Sequence, residues 1–482
     1  MIETHTSRVV TLVTFHKPEQ IRGLAQLSKL MKKLYGESPL GILACKKFKR
    51  ISVKVLVVGH GGREHALAWK LLQSKQIEQV VCAPGNGGTA SMERCQNLPL
   101  AVDDFEGITQ FAKKQDISLV VVGPEVPLAK GITDYLTSQG LMVFGPTKAG
   151  AQIEASKAWA KALMQEAGIP TARAVVFTEA TAAKSYVRAQ GAPIVVKADG
   201  LAAGKGVIVA ETVEQAQIAI DAMFGGEFGS AGRFVVIEEC LTGQEVSVLA
   251  LTDGLTIRPL LSAQDHKRIC EGDIGENTGG MGAYAPAPIA TPELIAEIQK
   301  EVLEKAIAAL LAKGIDYRGV LYAGLMITPK GDFKVLEFNC RFGDPETQVV
   351  LPLLETPLEE LILACVEQRL AQMPPIAWKQ GTAVTVVAAS GGYPGVYEKG
   401  KAITGIEQAE ALGTTVFHAG TKAFPGGSLG TRQQLVTDGG RVLNVTAVGE
   451  NFEQALTQAY SGIQCIHFEG MYYRRDIGHQ VR

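Results

Sequence analysis

The chain reads as an α/β protein, with a doubly wound parallel sheet first, a strand–helix region after it and a small α/β unit at the C-terminal end. Three observations lead there. Apolar, β-branched runs at Val53–Val58, Gln79–Cys82, Leu119–Val122 and Leu141–Phe144 each lead into Gly or Pro, as buried parallel strands do. Helical stretches such as Arg63–Leu72 alternate with such runs, the pattern of a doubly wound sheet. After Pro374 and Pro375 the texture changes and a second, shorter set of strands begins.

Taken in order, residues 53 to about 155 form the first domain. Ser156 opens a helix through Ala167 that Gly168 and Pro170 stop. Strands at Ile194–Lys197, Val207–Val209 and Phe234–Glu238 follow, with a helix over Val213–Met223 and a Gly-rich connection over Gly225–Gly232. Residues 262–290 carry little periodicity and much Gly, Asp and Asn, so they read as a long ordered loop. Thr291 caps a helix with Pro292 at its first position, running to Gly314. Strands at Leu321–Ile327 and Phe333–Phe338 come next, and a domain running from 156 to 372 closes there. Residues 373–482 hold strands at Ala383–Ala388, Thr415–His418 and Val442–Val448 and a helix from Phe452 to Ile466.

Composition narrows the function classes. With 47 basic and 49 acidic residues among 482, no basic face for nucleic acid is implied. No run of eighteen apolar residues appears, so no membrane span is expected. Eight scattered cysteines without a C-x-x-C pair support neither zinc nor redox chemistry, and a reduced cytoplasmic setting is the simplest account. The first 52 residues stand apart: ten are basic and three acidic, leaving 37 basic and 46 acidic residues downstream. A weakly ordered extension, or a start placed ahead of Met31, accounts for them; an organelle transit peptide is the alternative.

Four segments carry candidate chemistry. In the strand ending Val335-Leu336-Glu337-Phe338-Asn339, Glu337 and Asn339 share one face, with Leu336 and Phe338 on the other. Two hard oxygen donors at a strand end suit Mg²⁺ bridging phosphates, and Arg341, Asp344 and Glu346 follow at once; a solvated edge strand is the plainer alternative. Lys197 precedes a G-x-x-x-G-K-G loop, Gly200 to Gly206, whose glycines can bring backbone N–H groups to phosphate. The spacing is not that of a Walker A loop, and a surface turn reads equally well. Glu238-Glu239-Cys240-Leu241 and Glu245 could hold adenine and ribose, or be solvated acids. The turn Gly59-x-Gly61-x-x-Glu64 lacks the third glycine of a dinucleotide fingerprint. The strand ending at Cys82 lacks the ribose-binding acid. A phosphate at the helix N-terminus beside Arg63 remains open, as does a simple packing turn.

Longer segments extend these. VLVVGHGGREHALAWKL from Val55, APGNGGTA from Ala83, VVGPEVPLAKG from Val121 and VFGPTKAGAQIEASKAWAK from Val143 come first. PIVVKADGLAAGKGV from Pro193, QDHKR from Gln264, NTGGMGAY from Asn277 and LEFNCRFGDPETQ from Leu336 follow. GGYPG from Gly391, FHAGT from Phe417 and DGGRVLNVTA from Asp438 complete the set. In this order they resemble the glycinamide ribonucleotide synthetase family of ATP-grasp ligases, in its single-function form, from about residue 53 to the end.

The resemblance implies an ATP-grasp fold over 156–372 with a lid subdomain at about 170–240. It implies Glu337 and Asn339 as ligands of Mg²⁺ or Mn²⁺, and Lys157 and Lys197 on the ATP phosphates. The loop with Gly200, Gly204, Lys205 and Gly206 would cover those phosphates; Glu238, Glu239 and Leu241 would form the adenine hinge, and Glu245 a ribose contact. Arg341, Asp344 and Lys197 would act at the reacting phosphoryl group. Phosphoribosylamine would meet Gly61, Gly62, Arg63, Glu64, Pro84, Gly85 and Asn86. The remaining substrate contacts would be Asp265, Lys267, Arg268, Asn277 and Thr278. The implied partners are glycine, phosphoribosylamine and ATP, with a monomer expected. Two departures stand out: Tyr322-Ala323-Gly324-Leu325 occupies the place where many such enzymes carry a further metal-binding carboxylate, and Glu276 replaces the usual Pro before Asn277. Other acceptors on the same fold, a nicotinamide oxidoreductase and a non-catalytic nucleotide sensor are the rival readings.

Overall fold

The computed structural model describes residues 53–201, 206–227, 229–424 and 434–481. The basic first 52 residues, and Gly204 and Lys205 of the glycine loop, lie outside the described residues.

Five parallel strands form the first sheet: β1 Val53–Gly59, β2 Ile77–Pro84, β3 Cys95–Asn97, β4 Leu119–Val122 and β5 Val143–Phe144. Their order is β3-β2-β1-β4-β5, so the connections reverse direction between β1 and β4. That reversal opens a crevice beyond the C-terminal strand ends. The helix Gly62–Leu71 leaves β1 through it, and the helix Glu125–Lys130 follows β4. β3 is an addition to the elements read from sequence; three residues give too little periodicity to see.

Ser156 caps the helix Lys157–Glu166 by accepting a hydrogen bond from the Trp159 amide, as expected. Beyond it stands a four-stranded antiparallel sheet in the order β6-β9-β7-β8: β6 Ala174–Phe177, β7 Ile194–Ala198, β8 Val207–Ala210 and β9 Val235–Glu239. The helices Ala180–Gln190 and Val213–Phe224 bury Ala183, Val187, Ala216 and Ile220 against Val196 and Ile237.

The central sheet carries β10 Gln244–Thr252 and β11 Ile257–Pro259. Residues 262–290 are not the loop expected. They contain β12 Gln264–Asp265, β13 Arg268–Cys270, β14 Ile274–Asn277 and β15 Gly282–Ala285. Strands of two to four residues separated by glycine show no readable alternation, which is why the sequence hides them. A helical run follows, capped by Thr291 and interrupted by a π-helical turn over Gln299–Glu304. β16 Gly319–Ile327 and β17 Phe333–Asn339 complete the central sheet in the order β11-β10-β16-β17. β18 Thr382–Ala389, β19 Thr415–His418, β20 Thr421–Phe424, β21 Gln434–Thr437 and β22 Arg441–Gly449 complete the strands. The last large sheet runs β12-β15-β18-β22-β19, so β12 and β15 join the C-terminal strands, while β13 and β14 pair with each other.

Candidate active site

Two cavities of about 520 Å³ each share the β17 segment. Lys197, Val207, Glu238, Asp265, Thr278, Leu336 and Glu337 line both. The first extends to Arg63, Lys157, Gly200, Gly206, Asn339, Arg341 and Asp344. The second extends to Glu239, Leu241, Glu245, Lys267, Arg268 and Asn277, with Val195, Val209 and Met326 as apolar walls.

β17 pairs antiparallel with β16, but the register slips at Gly324 and Leu325, which face Glu337 and Val335. Leu336 is the extra residue of this bulge. It therefore lines both cavities beside Glu337, instead of the opposite face that strict alternation predicts. Burial acts to raise the Glu337 carboxyl, but Lys267, Lys197, Lys157 and Arg341 outweigh it and hold it below the ordinary range. The Asn339 amide oxygen accepts from Arg341 Nη2 at 3.2 Å. Gly324, not a carboxylate, stands opposite Glu337. Among the described residues no group of three or more His, Cys, Asp or Glu makes a self-contained metal cage. One carboxylate and one amide oxygen fit a Mg²⁺-type ion that takes its other ligands from phosphate and water.

Four cations surround this face. Lys157 Nζ donates to the Gly200 carbonyl at 2.8 Å; burial lowers its ammonium pKa, and Glu337 partly restores it. Asp199 ties the start of the glycine loop to the helix Lys157–Glu166, accepting from the Ala158 amide at 3.0 Å and from Ser156 Oγ. Lys197 and Lys161 both reach Glu238 Oε2, at 2.9 and 3.1 Å. Burial brings the Lys161 ammonium down to about 8, partly offset by Glu238. Arg341 is held by Glu125 at 3.1 Å and Glu154 at 2.9 Å, which fix its guanidinium at the cavity wall. Asp344 lies before the helix Gly62–Leu71, 3.4 Å from the Arg63 amide and from Arg441 Nη2. Burial opposes its ionisation, but Arg441 and Arg63 prevail and keep its pKa low.

The second cavity holds a further charged group. Glu245 forms an ion pair with Lys267. Burial lifts the Asp265 carboxyl to about 7; Lys267 opposes this, while Glu346 and Glu245 add to it. Thr278 donates through both Oγ1 and its amide to the Lys267 carbonyl, and Arg268 Nη1 donates to the Gly275 carbonyl at 2.6 Å. Glu239 pairs with Arg173 at 3.1 Å and Lys334 at 2.6 Å, at the edge of the second cavity that Leu241 also lines.

Of Gly61, Gly62, Arg63, Glu64, Pro84, Gly85 and Asn86, Arg63 alone lines the first cavity. Glu64 turns back on its own helix start, accepting from the Gly61 amide at 2.6 Å and from Arg63 Nε at 2.5 Å. A Cβ on Gly62 would fall 2.5 Å from Gln348 and 2.6 Å from Asn444, so that glycine permits close packing. Asn86 spends its amide on the His60 and His418 carbonyls and on the Gly88 and Thr89 amides. Pro84 precedes Gly85, whose amide donates to the Gly59 carbonyl. These contacts fix the shape of the loops on either side of Arg63.

Several cavity residues went unread. Lys161 sits four residues after Lys157, one helical turn along the same face, which was the available signal. Glu125, Glu154, Tyr322, Tyr393 and Arg441 come from distant segments, and nothing local marks them. Tyr322 donates to Glu346 Oε1 at 2.5 Å, and Arg441 Nη1 donates to the Gly279 and Asp344 carbonyls at 2.6 and 2.7 Å.

The parallel domain, the two antiparallel sheets and the lysine–carboxylate site between them define an ATP-grasp enzyme. The fold is shared with the biotin carboxylase domain of Hydrogenobacter thermophilus 2-oxoglutarate carboxylase, at a TM-score of 0.63 and 16% identity, covering 87% of this chain and 91% of that one. Family models of the phosphoribosylglycinamide synthetase N domain, ATP-grasp (A) domain and C domain match residues 53–154, 155–347 and 383–480. The chain therefore belongs to the phosphoribosylglycinamide synthetase family, and it is a ligase of purine biosynthesis. A phosphoribosylamine–glycine ligase of Nostoc sp. strain PCC 7120 is 80% identical over 429 residues, covering 89% of this chain and all of that protein. The crystal structure of phosphoribosylamine–glycine ligase from Thermotoga maritima superposes at a TM-score of 0.74 with 35% identity, covering 88% of this chain and 100% of that one.

Proposed function

We propose that the paired cavities join glycine to phosphoribosylamine with cleavage of ATP to ADP and phosphate. The observation that carries this reading is the meeting of Glu337, Asn339, Lys157 and Lys197 at one cavity wall. Those four side chains are what a polyphosphate tail and its cation require. The apolar walls Val195, Val209, Met326 and Leu336, beside the Glu238–Leu241 hinge, suit an adenine ring, with Glu245 near its ribose.

Carboxylate oxygen is a poor leaving group, so an amine cannot displace it directly. In the proposed sequence a glycine carboxylate oxygen attacks the γ-phosphorus and the bond to the β-bridging oxygen breaks, giving glycyl phosphate and ADP. The amine of phosphoribosylamine then attacks the carbonyl carbon, phosphate departs and the nitrogen loses a proton. Lys157 and Lys197 offset the charge spreading over the transferred phosphoryl group, and Arg341, fixed by Glu125 and Glu154, faces the same space. Asp344 and Arg63 hold the first-domain crevice against the cavity where the amine must arrive. Glu337 and Asn339 would hold magnesium or manganese, which supplies charge neutralisation at the phosphates. Gly200, Leu201 and Gly206 line the same cavity, where their backbone would meet the phosphates. The partners are these small molecules, and the cytoplasm is the proposed setting; no described helix is long and apolar enough to cross a membrane.

The test is ADP release by the full chain with ATP, glycine and freshly made phosphoribosylamine, omitting each in turn. ADP formation that needs both co-substrates is the expected result. Indifference to glycine or to the amine would remove the reading in favour of another acceptor or a nucleotide sensor.

A further inference from the structure

Lys161 and Lys197 converge on a single oxygen, Glu238 Oε2, and the three side chains are only 4%, 7% and 2% exposed. Two ammonium groups on one carboxylate oxygen is a surplus of cation inside the protein. The surplus is arranged asymmetrically. Lys161 lines the first cavity only, and it is anchored there: it donates to Thr171 Oγ1 at 2.7 Å, and Thr171 in turn donates to the Val335 carbonyl at 2.7 Å. Lys197 has a longer second contact, 3.3 Å to the Leu336 carbonyl beside Glu337, and it lines both cavities. One lysine is tied into the scaffold, and the other stands where an incoming phosphate would meet it.

Consider what phosphate binding demands. Lys197 must turn from Glu238 toward the new anion. If it were the only partner of Glu238, that turn would strip a buried carboxylate of its counter-charge, an expensive outcome in a dehydrated site. With Lys161 in place the carboxylate stays paired. We infer that Lys161 is a positioning residue, the resident counter-ion of Glu238, which frees Lys197 to exchange that carboxylate for the ATP phosphates. The inference deepens the ligase reading above and rests on it for the identity of the nucleotide, since nothing else in the family assignment gives Lys161 a role.

The consequence is a specific non-additivity. When Lys161 is lost, Lys197 is detained by Glu238; when Glu238 is lost as well, there is nothing to detain it. The full chain would be compared as wild type, Lys161→Met, Glu238→Gln and the double variant, by binding of a non-hydrolysable ATP analogue with Mg²⁺ and by ADP formation. With Glu238 intact, Lys161→Met should weaken analogue binding about tenfold or more; in Glu238→Gln the same change should cost no more than about twofold. Lys161→Arg should recover much of the loss. A purely structural Lys161 would instead give equal losses in both backgrounds, tracking thermal stability, and that outcome overturns the inference. Should Lys161→Met fail to fold, Lys161→Gln carries the same cycle. Wild-type protein that binds the analogue but shows no glycine-dependent ADP release would sink the ligase reading while leaving the binding cycle to judge Lys161.

Discussion

Arg474 and Lys197 are both buried cations, yet the clusters around them are built differently. Arg474 is wholly buried and makes four hydrogen bonds: two to Asp476 at 2.8 Å, one to Asp273 at 2.8 Å and one to the Arg268 carbonyl at 3.0 Å. Two carboxylates face one guanidinium, and the cluster closes on itself. Around Lys197 the count runs the other way. It shares one oxygen of Glu238 with Lys161, while Glu238 Oε1 is buried without a hydrogen-bond partner. Lys157 and Lys267 add further positive charge near Glu337. Burial of charge is common to both places; what separates them is whether the charge is satisfied. A satisfied cluster holds segments together, and an unsatisfied one is poised for a ligand.

The sharpest way to break this contrast is at Glu337. Glu337→Ala should lower glycine-dependent ADP formation by more than about 100-fold, beyond the loss typical of a residue that only supports a metal ligand. Its thermal unfolding should stay close to wild type, because the carboxylate serves a ligand and not the scaffold. Near-normal turnover, with ADP and phosphate both measured, would undo the assignment of the site.

Arg474→Met should do the reverse. Removing one partner of a fully buried ion pair costs about 3–5 kcal/mol, and less is expected here, about 2–3 kcal/mol, because Asp273 and Asp476 keep access to water. Denaturant titration should show that loss, while folded protein at low temperature keeps its ligase rate. A variant with normal stability and poor catalysis would mean that the closed cluster has a functional role.

How far the sequence foretold this contrast depends on whether the signal was local. The strands β1 and β4 and the capped helix at Ser156 were legible, because apolar runs and caps announce themselves within a few residues. Glu337 and Asn339 were legible as a same-face pair, but the bulge that turns Leu336 into the same cavities was not, since it arises from the pairing with β16. Glu64 was singled out only through the resemblance, and its spacing from Gly61 also lets it accept from the Gly61 amide at the helix start. Family resemblance singled out the N-terminal loops; the bond from Asn86 to the His418 carbonyl and the close approach of Gln348 and Asn444 to Gly62 come from segments far along the chain. Satisfaction of charge is a property of partners far apart in the chain, so no reading of one segment could have separated Arg474 from Lys197.

Two aspartates extend the comparison to pH. Asp476 belongs to the closed cluster: burial opposes its ionisation, but Arg474 and the Gly272 amide dominate and bring it from 3.8 down to about 2. Its contribution to stability is therefore present above pH 3.8 and disappears as pH falls toward 2. Asp265 belongs to the cavity, and burial carries it from 3.8 up to about 7. The folded protein then holds this proton more tightly than the unfolded chain, so the contribution is present below 3.8 and is lost as pH rises through 7. Above that pH an ionised Asp265 costs stability, a cost tolerated where a ligand will use the charge. Asp265→Asn should thus melt a few degrees above wild type at pH 8, with the gap closing as the buffer is made acidic, and it should lose ligase activity. Asp476→Asn should melt below wild type at neutral pH, and that gap should close only in strong acid. Parallel melting shifts of the same sign at pH 8 would show that the two sites do not differ in the way their hydrogen bonds imply.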